Sequence, residues 1–219
     1  MGKEAKPVSN WSKLKGKVAK ASKPAAKPEA VVEEEKAPAP TRLSAKAKEI
    51  YVGLDCEMVG IGPEGKQSAL ARCCLVGFDG GVLYDEYVRP PGFVTDFRTK
   101  YSGIRKSDLR QGTAITLQEC QRAVAALLRD KVLVGHALRN DLDVLMLSHP
   151  RTHIRDTACY RPYMRVHGLH GKLRPRALRD LTKQHLGLVI QAGEHDPAED
   201  ARCAMRLYAL QRDAWEQQL

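Results

Sequence analysis

The sequence predicts an α/β domain, a mixed β-sheet flanked by α-helices, preceded by a disordered basic N-terminal tail. Three observations predict it. Apolar, β-rich runs come first and lie close together, as in an antiparallel meander. Short apolar runs then alternate with segments of helical spacing, the pattern of strands covered by helices. Composition also shifts near residue 49: up to there the chain carries 12 Lys and Arg against 6 acids and almost no large apolar residues.

Each element follows from its own signals. Residues 1–48 are dominated by Lys, Ala, Pro, Ser and Glu. They cannot bury enough apolar surface to offset chain entropy, so a disordered tail is expected. Residues 49–219 have the right length for one domain with a substantial core. Ile50–Leu54 reads as a buried strand with Asp55 and Glu57 at its end, and Gly60–Gly65 as a turn. Ala69–Phe78 and Val82–Val88, split by Asp79-Gly80-Gly81, form a hairpin. After a loop over Arg89–Gly103, Leu117–Arg129 has helical spacing, Val132–Gly135 is a short buried strand and Asn140–Leu147 is a helix. Ile154 falls in another short strand, and Leu178–Leu186 is a helix that stops at Gly187. The last helix has the clearest start: Asp196 suits the N-cap, Pro197 the first position and Glu199 the third position of a capping box.

Bulk properties narrow the function classes. No apolar run approaches the roughly 18–20 residues that cross a membrane, so no membrane partner is expected. The N-terminus lacks an apolar signal region, and the six cysteines show no C-x-x-C spacing. An intracellular protein with reduced core cysteines and no zinc site is expected. The net charge of +10 fits a polyanionic partner, nucleic acid above all; for the tail alone, a solubilising role fits the composition equally.

The residues that carry chemistry are acids and one histidine. Asp55 and Glu57 are two apart, so on a strand they point to one side of the sheet. Asp141 follows Gly135-His136 in the first turn of a helix, where the helix dipole alone would favour an acid. Asp143 is expected to face away from it. With Asp196 as N-cap, His195 and Asp200 take the two positions that meet in a hydrophobic staple, here as a pair poor for packing and good for a site. His195 alone reads as a surface-loop histidine. Converging carboxylates repel by about 4 kcal/mol per pair at 4 Å and an effective dielectric of 20, and divalent cations remove that repulsion. Oxygen ligands suit Mg²⁺ or Mn²⁺, two per site, and a neutral His195 could take a proton from water.

Asp55-Cys56-Glu57-Met58-Val59-Gly60, Gly135-His136 with Asn140-Asp141, and His195 followed five residues later by Asp200 together resemble the DEDDh exonucleases. Val94–Thr99, Ser102-Gly103-Ile104, Ile154–Thr157 and Glu199–Arg202 extend the resemblance to the eukaryotic RNA exonuclease 4 and interferon-stimulated 20-kDa exonuclease group, over about residues 50–217. The resemblance implies a ribonuclease-H-like fold and metal-dependent 3′→5′ hydrolysis at the end of single-stranded RNA. It implies that Asp55, Glu57, Asp141 and Asp200 bind the metals, that His195 is the general base, and that Met58 and Arg98 contact the terminal nucleotide. Ribosomal RNA processing, a monomer and a nuclear or nucleolar location are expected with it. Two other readings share these residues: an exonuclease preferring DNA, and a pre-ribosomal RNA-binding or assembly factor with vestigial hydrolysis. Arg161–Arg179 holds six Lys and Arg and no acid. It reads as a basic loop, either along the phosphate backbone or simply solvated. Phe97 and Tyr101 are candidates for stacking on bases.

Overall fold

The computed structural model describes residues 43–168 and 171–219. The expected tail lies outside the described residues up to position 42. Its last residues belong with the domain: Leu43 packs on the core, and Ser44 caps a one-turn helix, α1 (Ala45–Lys48). The strands follow as β1 (Tyr51–Ile61), β2 (Gln67–Gly77), β3 (Val82–Arg89) and β4 (Val94–Asp96). Then come α2 (Thr99–Ser102), β5 (Ile115–Thr116), α3 (Leu117–Leu127), β6 (Val132–Gly135), α4 (Arg139–Leu145) and β7 (Ile154–Asp156). A small ribbon, β8 (Arg165–His167) and β9 (Lys172–Arg174), precedes α5 (Leu178–Leu186) and α6 (Pro197–Glu216).

The main sheet runs β5-β3-β2-β1-β6-β7, with β4 pairing on β1 at Gly60 and Ile61. β1, β2 and β3 form the expected antiparallel meander, while β6 and β7 lie parallel to β1 on its other side. Alternation along the strands builds a core on each face. Tyr51, Val132 and Val134 pack with Leu181, Leu207 and Tyr208 of α5 and α6. Val52, Leu54 and Leu133, one residue out of step, pack with Cys120, Val124 and Leu145 of α3 and α4. The sheet is thus mixed and covered on both sides, as the sequence predicts.

Three local expectations need correction. β1 does not end at Leu54: it pairs with β2 as far as Ile61, with a bulge between Glu57 and Met58. Asp55 and Glu57 therefore lie within a strand, where two acids and Gly60 mask the apolar pattern. The reciprocal capping box forms at Thr116 and Glu119, at the head of α3. At α6, Asp196 accepts from the Ala198 N–H at 3.3 Å, the second helical position, and the Glu199 half of the box is not made among the described residues. Five cysteines are buried free thiols, but Cys159 is exposed. No helix among the described residues is long and apolar enough to cross a membrane.

Candidate active site

Gly53 determines how closely α6 can approach the sheet. A side chain there would meet Val76 Cγ2 at 2.8 Å and the Ala201 carbonyl oxygen at 3.2 Å, so only glycine lets the helix lie down on β1. Tyr51 and Gly53 face that helix, and the pleat returns Asp55 and Glu57 to the same side. The first turns of α6 supply the third acid, Asp200, which is 3 % exposed. His195 sits just before the helix, and its Nδ1 lies 3.8 Å from Asp200 Oδ2, the meeting expected from the capping positions. Glu57, His195 and Asp200 each bring a ligand atom within 4.8 Å of the others.

The fourth acid comes from the neighbouring parallel strand. β6 ends at Gly135, where a side chain would strike Leu138 and approach the Leu54 carbonyl oxygen at 2.9 Å. The turn that follows is held by Asp156 of β7, whose carboxylate accepts from the N–H groups of Ala137 (2.8 Å) and Leu138 (3.1 Å). Ala137 is thereby kept at φ +60°, a left-handed conformation that costs energy for an alanine. α4 then presents Asp141, buried and accepting from the Cys56 N–H, while Asp143 is exposed and pairs with Arg139 at 3.8 Å. Against the expectation that it faces away, Asp143 also lines the cavity that Asp141 enters, at an exposed position.

Asp55, Glu57, Met58, Asp141, His195 and Asp200 line one cavity of about 790 Å³. Its electrostatics are unfavourable without a counter-charge. Burial, then the charges of Asp141, Asp200 and Glu57, hold the Asp55 carboxyl well above its ordinary range. Burial and Asp200 push Glu57 up to about 8, against the pull of Arg72. Burial raises Asp141 to about 7 and Asp200 to about 6, each opposed by hydrogen bonds. Asp200 Oδ1 is buried with no hydrogen-bond partner among the described residues. Repelling acids and an orphaned oxygen are what a divalent cation would relieve. Burial and the nearby Arg179 charge lower the His195 pKa, which favours the neutral ring.

Other residues support or depart from the expected set. Gln191, which the sequence does not single out, donates from Nε2 to Asp200 Oδ2 at 2.7 Å and holds φ +56°. Its only signal is its place on the segment leading to His195, a weak one. That segment is also tied down: the His195 N–H donates to the Tyr101 carbonyl at 2.6 Å, and Glu194 pairs with Arg105 at 2.7 Å. Arg98 does not line the cavity. Its guanidinium donates to Ser68 Oγ and the Gly65 carbonyl, both at 2.9 Å, and Ser68 is the residue that reaches the rim. Phe97 packs beside Val59, Ala71 and Ile104, whereas Tyr101 is 60 % exposed and stands edge-on to His195.

Residues 52–208 match the exonuclease family model of the RNase T type. The chain is 44 % identical to RNA exonuclease 4 of Saccharomyces cerevisiae over 179 residues, covering 80 % of this chain and 60 % of that protein. It is 44 % identical to human apoptosis-enhancing nuclease over 183 residues, covering 83 % of this chain and 55 % of that protein. The chain thus spans somewhat over half the length of these two relatives. Among solved structures, it resembles the Saccharomyces cerevisiae Pan2 pseudoubiquitin hydrolase–RNA exonuclease module in complex with A7 RNA. That likeness has a TM-score of 0.65 and 33 % identity over 77 % of this chain and 29 % of that one. Fold, buried acids and the match along most of its length agree: the chain belongs to the exonuclease family.

Proposed function

We propose that the protein is a divalent-metal-dependent 3′→5′ exonuclease acting on the 3′ end of single-stranded RNA. The observation that carries this reading is the convergence of Asp55, Glu57, Asp141, Asp200 and His195 on one cavity, with a buried Asp200 oxygen left unpartnered. Relatives named RNA exonuclease 4 and an RNA-bound Pan2 exonuclease module support RNA as the substrate class.

In this reading the four carboxylates hold two Mg²⁺ or Mn²⁺ ions. When bound, the ions supply the positive charge that stabilises charge developing on the phosphate oxygens. The chain's own residues do the rest. His195, half-buried and favoured as the neutral ring, accepts a proton from the attacking water on its free ring nitrogen. The Tyr101 carbonyl and the Arg105–Glu194 pair fix the segment that carries it. Met58, on the cavity wall, meets the terminal sugar, and Arg98 shapes the rim through Ser68. A role in ribosomal RNA maturation, a monomeric state and a nuclear location belong to the same proposal. Their support is the family resemblance and the net charge of +10, and imaging of the tagged full chain tests the location.

The deciding experiment digests 5′-labelled single-stranded RNA and matched DNA with Mg²⁺ or with chelator, wild type beside Asp200→Asn. A Mg²⁺-dependent ladder that shortens from the 3′ end, absent in the variant, is expected, with RNA cut faster than DNA. Faster cutting of DNA would replace RNA with DNA as the substrate. No turnover on either strand with RNA binding intact would replace the enzyme with an RNA-binding factor.

A further inference from the structure

The acids of the cavity have a counterpart of opposite sign outside it. β8 and β9 pair antiparallel with Arg165 opposite Arg174, Val166 opposite Leu173 and His167 opposite Lys172. Directly opposed residues share a face of the ribbon, and every second residue returns to it. One face therefore stacks Arg165 on Arg174 and His167 on Lys172, a two-rung ladder in which the Arg165–Arg174 rung opposes two fixed positive charges and Lys172 adds a third. Like charges directly opposed across strands are destabilising, and an isolated two-stranded ribbon is marginal to begin with. No acid among the described residues pairs with the ladder to offset the repulsion. All four ladder residues are exposed, and none of Arg165, Lys172, Arg174, Arg176 and Arg179 forms an ion pair among the described residues. Nor does the sequence place any acid between Arg161 and Arg179. The other face has little core to hold it: Val166 is 69 % exposed and Leu173 half-buried. Packing does not account for this arrangement, whereas an anion lying across the rungs would.

The ribbon also leads to the cavity. The Arg176 backbone hydrogen-bonds His136, which lines the cavity, as do Ala177 and Leu178 immediately beyond. Arg179 then stands close enough to His195 for its charge to act on the imidazole. Rungs two residues apart lie ~7 Å from each other along a strand, comparable to one phosphate-to-phosphate step of an extended polynucleotide.

We propose that the β8–β9 ribbon is a phosphate ladder that holds the single-stranded RNA 5′ of the nucleotide being removed. This rests on the exonuclease reading above for its substrate, but not for its measurement. The ladder has no part in the chemistry, so its effect falls on binding, on salt dependence and on substrates long enough to reach it.

The test uses the full chain carrying Arg165→Ala, Lys172→Ala and Arg174→Ala together, beside the charge-conserving pair Arg165→Lys and Arg174→Lys. On a long single-stranded RNA at ~0.1 M salt, the triple variant should raise KM about tenfold with kcat changed less than about twofold. Three lost phosphate contacts on a single strand should flatten the slope of log affinity against log salt by about 2. The lysine pair should retain most of the wild-type slope, and a trinucleotide should be cleaved equally by all three proteins. Unchanged KM and slope in the triple variant would overturn the proposal and leave the ladder to another polyanionic partner. Equal loss on the trinucleotide would also overturn it, because the ribbon would then be supporting the active site. Should wild type degrade no RNA, the exonuclease reading fails; anisotropy titration of the labelled RNA with the same proteins still decides the ladder.

Discussion

A neutral amide 2.7 Å from a buried carboxylate does two things for Asp200. It fixes the orientation of one oxygen, Oδ2, and it leaves the other, Oδ1, without a partner among the described residues and open to a cation. Hydrogen bonds to ligating carboxylates set metal affinity as well as geometry, and their loss typically costs 10–100-fold. Gln191→Gly should therefore weaken Mn²⁺ binding by about 10–100-fold, read by calorimetry on RNA-free protein. Glycine is the useful replacement because it accepts the φ of +56° without strain, so the change in Mn²⁺ affinity reports the lost hydrogen bond and not a rearranged backbone. Mn²⁺ affinity equal to wild type would mean that Gln191 merely packs. The contrast with the acids shows what residue types reveal. Asp55, Glu57, Asp141, His195 and Asp200 are legible in the sequence because few other side chains can do that chemistry at those spacings. Gln191 is not, since a glutamine in a loop has no characteristic pattern and acquires its place only when the chain folds back on α6. Arg98 is legible as a charge, but its commitment to Ser68 and Gly65 is a tertiary fact.

Among the elements, those with a long apolar run or a firm helical period are readable, and their bounds agree to within a few residues, except that β1 runs seven residues past its expected end. β6 and α5 match the expected residues at both ends because a bounded apolar run marks one and Gly187 at φ +68° stops the other. β4 and β5, two or three residues long, carry no period to detect. The β8–β9 ribbon was hidden by Gly168, Gly171 and Pro175, which read as a loop. The packing of α6 on β1 is not local at all: it depends on the missing side chain of Gly53 and on the Ala201 carbonyl that takes its space. Gly53→Ala tests that dependence. Val76 can shift, but the helix backbone cannot do so without carrying Asp200, the residue next to Ala201. Overpacking of this kind costs about 1–3 kcal/mol, which for a domain of this size lowers Tm by about 2–4 °C per kcal/mol. Single-turnover cleavage should fall together with Tm. A variant as stable and as active as wild type would show that the helix does not need the glycine.

At the scale of the molecule, the order of the apolar and helical segments indicated a mixed sheet flanked by helices, but the partner strands of β1 across that sheet could not be read. The parallel register β1-β6-β7 depends on crossovers that no short-range signal specifies. One tie across this part of the fold can be tested by pH. Arg155 on β7, its side chain 6 % exposed, donates twice to Glu216 near the end of α6, at 2.7 and 2.8 Å, and Tyr208 donates to the same carboxylate at 2.6 Å. Burial alone would raise the Glu216 pKa, but the bonds from Arg155 and Tyr208 outweigh it and hold the carboxyl below its ordinary value. A depressed carboxyl contributes stability that is fully present above the unfolded-state pKa of about 4.3. That stability is lost as pH falls through the lower, folded value. Glu216→Gln leaves Arg155 buried beside a neutral group and should cost about 2 kcal/mol at pH 7, or about 4–8 °C in Tm for a domain of this length. At a pH below the folded value the wild-type carboxyl is itself protonated, and the gap between the two proteins should close. A Tm difference that stays constant from pH 7 to pH 3 would show that the variant suffers from altered packing, and that the charge of Glu216 does not hold α6 to the sheet edge.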